Sequence, residues 1–443
     1  MKIKCFENMK LFKIIIVFII SMPVVSFAQT LTLQQALNIT WENNYGIKII
    51  NQELQITDLQ NHAGYAGMLP VVSAIANYNV EVTNSEQQYF NGDTRSEKNA
   101  GANSLDAGVY LNWTVFDGLG MFARKDKLEQ LYSLGELQVR AKLEEITVQL
   151  MIDWNNLIQL ENAKKVMENA IEISAERLKI AQQRNIIGSG SGLDVLQAQV
   201  DLNTDSSAYI NILLQIKNTK AVLNEYMARD ANTTFDVNEK ISVDQKINIA
   251  GIKENVYANN TSLLIAEKNK QITELQVKEY RSYLYPTVSV NAGYGFLKSV
   301  SEAGFVESNL NVGPGAGVTL SIPLFNGFTV SRNIEQMRIM QQMQELDVLQ
   351  TQLSVNTNLA MVFNQYETSL QLMKIEQQNI EAATTNVSIA LEKFNLGAIT
   401  SVELREIQQQ KVNTENRYLT EELNAKIAEL QLKYFSGNLI TNN

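Results

Sequence analysis

The sequence predicts a mixed α and β fold, built twice over within one chain of 443 residues. Three observations predict it. Two proline-free arms, Gly118 to Gly188 and Gly327 to Gly397, each span 70 positions by subtraction. Four stretches alternate apolar and polar residues, the period of β-strands with unlike faces. Landmarks also recur at a fixed distance: Asn44, Ile56, Leu59 and Pro70 return 216 positions later as Asn260, Ile272, Leu275 and Pro286. Phe116-Asp117-Gly118 returns as Phe325-Asn326-Gly327 at a distance of 209.

The arms read as long amphipathic helices. Leu143, Ile146, Leu150, Trp154 and Leu157 step by 3 or 4, as do Ile339, Met343, Leu346, Leu349 and Leu353. At 1.5 Å per residue each arm is roughly 100 Å long. A pair of such rods argues for one duplicated unit rather than two or three separate domains.

The chain opens with Lys2, Lys4 and Lys10, an apolar run from Leu11 to Ile20, and the small-residue site Ser26-Phe27-Ala28. This reads as a secretory signal peptide over 1–28. Cys5 is the only cysteine and lies within it, so the mature chain is expected to have no disulfide and no thiol nucleophile. No later stretch of about 20 apolar residues remains, so residence in a membrane would require a β-barrel.

The first repeat is expected over 29–249. A helix runs from Leu31 to Leu69, opening at Thr32 and stopping at Pro70. A strand near 71–83 puts Val72, Ala74, Ala76, Tyr78, Val80 and Val82 on one face. A polar loop over 84–104 leads to a strand over 105–116, with Leu105, Ala107, Val109, Leu111 and Trp113 against Asp106, Tyr110, Asn112 and Thr114. The long helix follows over 119–187, then a turn through Gly188–Gly192, a return helix over 193–228 and a connector over 229–249 with short strands. The second repeat, 250–443, has a helix from Ile252 to Leu284, strands near 287–297 and 310–325, a long helix over 328–396, a return helix over 401–434 and a C-terminal tail.

The repeat distance falls by seven between the strands of a hairpin and nowhere else. Arm length is thus held while a loop varies. The strand alternation suits either a half-buried sheet or a barrel with one face on lipid and one on a wet lumen. With the leader and paired arms, the barrel is the expected form. Tyr78, Tyr110, Trp113, Tyr294 and Phe296 are candidates for its aromatic girdles. Four strands do not close a barrel, since about eight are needed. Other copies must supply the rest, eight strands for a dimer or twelve for a trimer, and spacing alone does not choose.

In order, duplication and spacing, the chain resembles the TolC-like outer-membrane efflux proteins, the exit ducts of tripartite efflux pumps and type I secretion. The resemblance covers essentially the whole mature chain. Its residues are Leu31 to Leu37 with Glu42-Asn43-Asn44, the helix-ending Pro70 and Pro286, and the Phe-Asp/Asn-Gly junctions. They also include the tips, Gly188 with Asp194 at +6 and Gly397 with Glu403 at +6. The resemblance implies a homotrimer with a twelve-stranded outer-membrane barrel, four strands per chain, continuous with an α-helical periplasmic barrel. It implies a periplasmic adaptor and an inner-membrane pump of RND, ABC or MFS type as partners.

The resemblance further implies an acidic periplasmic entrance at Glu403 and Glu406, beside Asp194 and Arg405. Triplicated carboxylates favour cations, although acids in a first helical turn also serve as caps. A basic latch residue of the family is replaced here by Ile399. Gly188, Gly192, Gly397 and Ser401 mark the helix-turn tips where an adaptor docks, and Pro70, Gly118, Pro286 and Gly327 mark the strand–helix junctions.

Other chemistry is not indicated. A net charge of −10 without a basic stripe disfavours nucleic acid. His62 has no second histidine to share a metal. The Gly188–Gly192 run lacks the lysine and preceding strand of a phosphate loop. No cofactor and no catalytic constellation are expected. The competing reading is a periplasmic coiled-coil adaptor or scaffold, which needs long helical hairpins but not two matched strand hairpins.

Overall fold

A computed structural model describes residues 29–303, 305–437 and 439, so the expected leader lies outside the described residues. The elements in chain order are β1 (Gln29–Thr30), α1 (Leu33–Asn43), α2 (Tyr45–Gln60), β2 (Val71–Gln88), β3 (Thr94–Phe116), α3 (Gly120–Ile186) and α4 (Gly192–Tyr226). Then come β4 (Phe235–Asp236), α5 (Ile249–Asn259), α6 (Thr261–Ser282), β5 (Thr287–Ser301), β6 (Ser308–Ser321), α7 (Thr329–Asn395) and α8 (Ser401–Phe435). The two long helices, α3 and α7, have the same length of 67 residues, and the return helices α4 and α8 both have 35.

Two expected helices are each broken in two, and the breaks are duplicated. The run from Leu31 to Leu69 stops at Asn44, resumes as α2 and ends at Gln60. The run from Ile252 to Leu284 starts earlier, at Ile249, breaks at Asn260 and ends at Ser282. Asn44 and Asn260 both have an extended ψ, of 126° and 116°. The Asn44 side-chain amide donates to the carbonyl of Tyr226 at 2.9 Å, and that of Asn260 to the carbonyl of Phe435 at 3.0 Å. Tyr226 and Phe435 are the last residues of the two return helices. The asparagine thus interrupts one helix in order to satisfy the open carbonyl end of another. Downstream of α2, the Gly64 N–H donates to His62 Nδ1 and Gly67 takes a φ of +79°, so the chain leaves the helix well before Pro70.

The strands form one antiparallel sheet of order β2-β3-β5-β6. The first hairpin is longer than expected: most of the anticipated 84–104 loop is strand, interrupted by a bulge between Thr83 and Ser85. There the Asn84 side chain accepts from the Asn99 N–H, and Asn99 adopts a φ of +54°. Its Ser, Thr, Gln and Glu residues carry no apolar alternation, which is why the extension is illegible in sequence. The fourth strand is shorter, ending at Ser321 rather than 325, just ahead of Pro323. The expected connector retains only β4 as strand, paired in parallel with β1.

Cross-strand pairing places Tyr78 opposite Leu105, Tyr294 opposite Val109, Phe296 opposite Ala107 and Trp113 opposite Val290, all on the apolar face. Tyr110 does not belong with these aromatics. It pairs with Gly293 on the polar face, where its hydroxyl lies 3.4 Å from Asp106. A Cβ at Gly293 would come 2.6 Å from the Tyr110 ring, so glycine provides the bed on which that ring lies.

The described chain forms two compact units. One comprises the residues up to Asn44, Ile146–Ile247 and Val362–Gln431. Its main core gathers Ala36, Leu37, Leu150, Trp154, Leu157, Leu223 and Met227, with Phe235 stacked on Trp154 at 6.2 Å. The Trp154 indole N–H donates to Glu239 at 2.8 Å, so the buried ring leaves no donor unsatisfied. The other unit, Tyr45–Glu145, Asn248–Met361 and the residues from Leu432, holds the sheet and the adjoining helical segments.

Candidate functional site

Both tips are built by the same local chemistry. The first long helix ends with Gly188 at φ +75°, and the N–H groups of Ser189 and Gly190 fold back onto the Arg184 carbonyl at 2.9 and 3.0 Å. The second ends with Gly397 at φ +77°, with the Ala398 N–H on the Lys393 carbonyl at 2.8 Å. This is the left-handed glycine closure of a helix C-terminus. A capped N-terminus follows each. Ser191 Oγ accepts from the Leu193 N–H, while Asp194 accepts from the Ser191 N–H at 3.3 Å. Thr400 Oγ1 accepts from the Glu403 N–H at 3.2 Å, and Glu403 accepts from the Thr400 N–H and hydroxyl at 2.7 and 2.9 Å. Gly192 and Ser401 are the first residues of α4 and α8.

Asp194 and Glu403 are therefore capping residues, each reaching back over one turn. The Thr400 backbone N–H, and then its hydroxyl, hold the Glu403 carboxyl below its ordinary range. It stays ionised and solvent-facing. Glu406 is exposed one turn further along α8.

Arg405 points elsewhere. Its guanidinium grips both carboxylate oxygens of Asp205 on α4 at 2.7 and 2.8 Å. Ser174 of α3 donates to the same carboxylate at 2.6 Å, and the Gln408 amide bridges Ser174 and the Ala170 carbonyl, each at 2.9 Å. Arg177 of α3 pairs with Asp201 in the same layer and is fully buried. Burial lowers the Arg177 pKa, opposed by Asp201. The arginine that sequence places between the two glutamates is thus turned into the helix packing. The outward charges at the tip are left to the carboxylates.

Sequence reading passed over Arg184. It lies in the last turn of α3 and donates to the Phe394 and Asn395 carbonyls of α7, with its guanidinium carbon 4.6 Å from the Phe394 ring centroid. The two tips are joined through it, around a small cavity of about 130 Å³ lined by Ala181, Asp194, Ile399 and Thr400 among others. Ile399 packs against the buried Ala390, Phe394 and Leu404, an apolar contact where the resemblance implies a polar latch. The visible signal was position: a basic residue in the last helical turn suits the dipole, and Lys393 recurs 209 positions later.

The strand–helix junctions also repeat. Pro70 and Pro286 directly precede β2 and β5. Gly118 and Leu119 both take a positive φ, +72° and +71°, and so do Gly327 and Phe328, +60° and +63°. Asp117 Oδ1 caps the start of α3 by accepting from the Met121 N–H at 2.9 Å.

Residues 254–438 match the family model described as "Outer membrane efflux protein". The outer membrane efflux protein BepC of Brucella suis is 20% identical over 341 residues, covering 75% of this chain and 72% of BepC. Residues 254–438 therefore carry the pattern of an outer membrane efflux protein. Solved structures agree on the fold. The Campylobacter jejuni CmeC outer membrane channel superposes with a TM-score of 0.78 at 13% identity, covering 93% of this chain and 87% of that one. The outer membrane protein VceC of Vibrio cholerae gives 0.75 at 13%, covering 91% and 96%. No described helix is long and apolar enough to cross a membrane.

Proposed function

We propose that three copies of this chain close their four-stranded sheets into one twelve-stranded barrel and form a passive conduit from periplasm to exterior. The observation that carries this is the sheet itself. Its order, β2-β3-β5-β6, leaves both outer strands without a partner along one edge among the described residues. Within the chain, β3 of the first repeat pairs with β5 of the second. The duplication makes β6 meeting β2 of the next copy the equivalent step, and closure removes the exposed edges. The repeats, 29–249 and 250–443, then each give two strands to the barrel and one pair of helical columns below it. The chain carries no chemistry of its own, so an inner-membrane pump of RND, ABC or MFS type supplies the energy.

The tips at Gly188–Gly192 and Gly397–Ser401 are the periplasmic entrance and the seat of an adaptor protein. Asp194, Glu403 and Glu406, in three copies, ring it with carboxylates and favour cations. Arg405, held by Asp205, leaves that ring unneutralised.

Single-channel recording in planar bilayers tests this. The wild-type protein is expected to give small, cation-selective openings. Glu403→Gln keeps an acceptor for the Thr400 N–H but removes the charge, so combined with Glu406→Gln it should weaken selectivity with the turn intact. Unchanged selectivity would reduce the glutamates to helix caps, and a folded oligomer without conductance would remove the duct.

A further inference from the structure

The polar face of the sheet carries a patch of six glycines spread over three adjacent strands. Across β3, β5 and β6 the register sets Tyr110, Gly293 and Gly315 in one row and Gly108, Gly295 and Gly313 in the next. A third row, on the other side of Tyr110, holds Asn112, Asn291 and Gly317. Glycine weakens a strand interior, and in strands it marks a close approach of something to the backbone. For half of the patch that something is Tyr110. A Cβ at Gly108 or Gly293 would come 2.8 or 2.6 Å from its ring, and one at Gly295 3.2 Å from its hydroxyl. The ring thus lies along the sheet, with one face on glycine and the other turned away from it.

The glycines of β6 have no such occupant. A Cβ at Gly313, Gly315 or Gly317 would meet no atom within 4 Å. Together with Tyr110 and Asn291 they bound a recess of about 610 Å³, within the range of small-molecule sites. Ser73 and Asn112 add a hydroxyl and a second amide, and every residue that lines the recess is uncharged. The Asn291 amide nitrogen donates to Thr319 at 3.1 Å, which leaves the amide oxygen as an acceptor. The Tyr110 hydroxyl lies 3.4 Å from Asp106, a residue outside the recess, so what the ring offers is its face.

We propose that this recess binds a neutral saccharide, one ring stacked by its C–H face on Tyr110 and hydrogen-bonded at its edge by Asn112, Asn291 and Ser73. An aromatic face fits the apolar side of a pyranose, and amides with a hydroxyl beside it fit the pyranose hydroxyls. An ionic ligand would find no counter-charge among the lining residues. The bare β6 backbone lets the sugar settle onto the sheet, which a side chain at Gly315 would prevent. The place of the recess rests on the barrel reading: with the barrel closed, the polar face lines the lumen and each copy contributes one recess at the same level. Weak sites of this kind let a sugar enter and leave, as conduction requires.

Saturation-transfer NMR on the purified protein, in a detergent without a sugar headgroup, tests the recess with maltotriose as probe. Wild type should transfer magnetisation to the sugar C–H protons. Tyr110→Ala should lower the affinity about tenfold, the worth of one stacking face. Gly315→Ile should abolish transfer with the circular dichroism of wild type, since the position is open and a β-branched side chain suits a strand. Full transfer in Gly315→Ile would overturn the recess as the site, and so would absence of transfer in wild type. Transfer to N-methylquinolinium, a flat aromatic cation, in place of maltotriose would overturn the assignment to a neutral sugar. Planar-bilayer recording separates the recess from the conduit. Maltotriose should interrupt the open current briefly, and for shorter times in Tyr110→Ala. Openings that maltotriose never interrupts, with no transfer by NMR, overturn the recess and leave the conduit standing. Transfer from a folded oligomer that gives no openings upholds the recess and removes the conduit.

Discussion

Arg405 holds Asp205 through two parallel hydrogen bonds between α8 and α4, and this pair is the centre of a polar layer in otherwise apolar helix packing. Removing Arg405 leaves the buried Asp205 carboxylate with the Ser174 hydroxyl in place of a charged partner. Arg405→Met should therefore cost about 3 kcal/mol, measured as a lower urea midpoint. Adding Asp205→Leu should recover most of that loss, because an apolar pair replaces an ionic one of similar reach. An additive double variant would mean that the two side chains are not coupled.

Glu279 gives the sheet-bearing unit an acid sensitivity. Burial raises its pKa, but hydrogen bonds from Lys127 and Arg124 outweigh burial and leave it below the ordinary carboxyl value. A depressed folded pKa stabilises above the unfolded value, near 4.3, and that contribution fades as pH falls through the folded one. Glu279→Gln should cost about 2 kcal/mol at neutral pH. The gap to wild type should close on acidification below about pH 4, followed by thermal melts across that range.

The two junction glycines should respond unequally to alanine. At Gly118 the left-handed φ combines with a Cβ position 2.4 Å from the Ser282 carbonyl oxygen, so backbone must move. At Gly327 the φ is similar but no atom lies within 4 Å. Gly327→Ala should cost about 1 kcal/mol and Gly118→Ala several times that, read from melting temperatures of the purified proteins. Equal losses would show that conformation alone decides.

Arg184 is the tie between the tips in one chain. Arg184→Met keeps its length and removes five donors, so the Phe394 and Asn395 carbonyls lose their partner. Larger or longer single-channel openings are the expected result. Openings of wild-type size would assign the tie to local stability only.

Most of the architecture was legible because it rests on period and repetition. The long helices were marked by glycines at both ends and a 3.6-residue pattern, and they fall within two residues of the expected limits. The strands were legible only where apolar and polar residues alternate, so the polar outer half of the first hairpin was missed. Asn44 and Asn260 stood out as matched residues, but a helix break that serves a carbonyl 182 or 175 residues away leaves no local trace. At the tips, the caps at Asp194 and Glu403 follow from spacing, while the partners of Arg405 and Arg184 lie on other helices. Sequence distance of about 200 positions hides such pairs.

The equal count of 67 residues in α3 and α7 sets a rule for how such a chain can change. Deleting one heptad from α3 alone would draw its turn back by about 10 Å, beyond the reach of Arg184 to Phe394. The same deletion made in both arms, and matched in the return helices α4 and α8, would keep the turns abreast and shorten the molecule. The hairpin loops are under no such obligation, and the repeat distance does change there. Descendants of this sequence can thus vary freely at the outward loops, while arm lengths are inherited as a matched pair, lengthened or trimmed together or not at all.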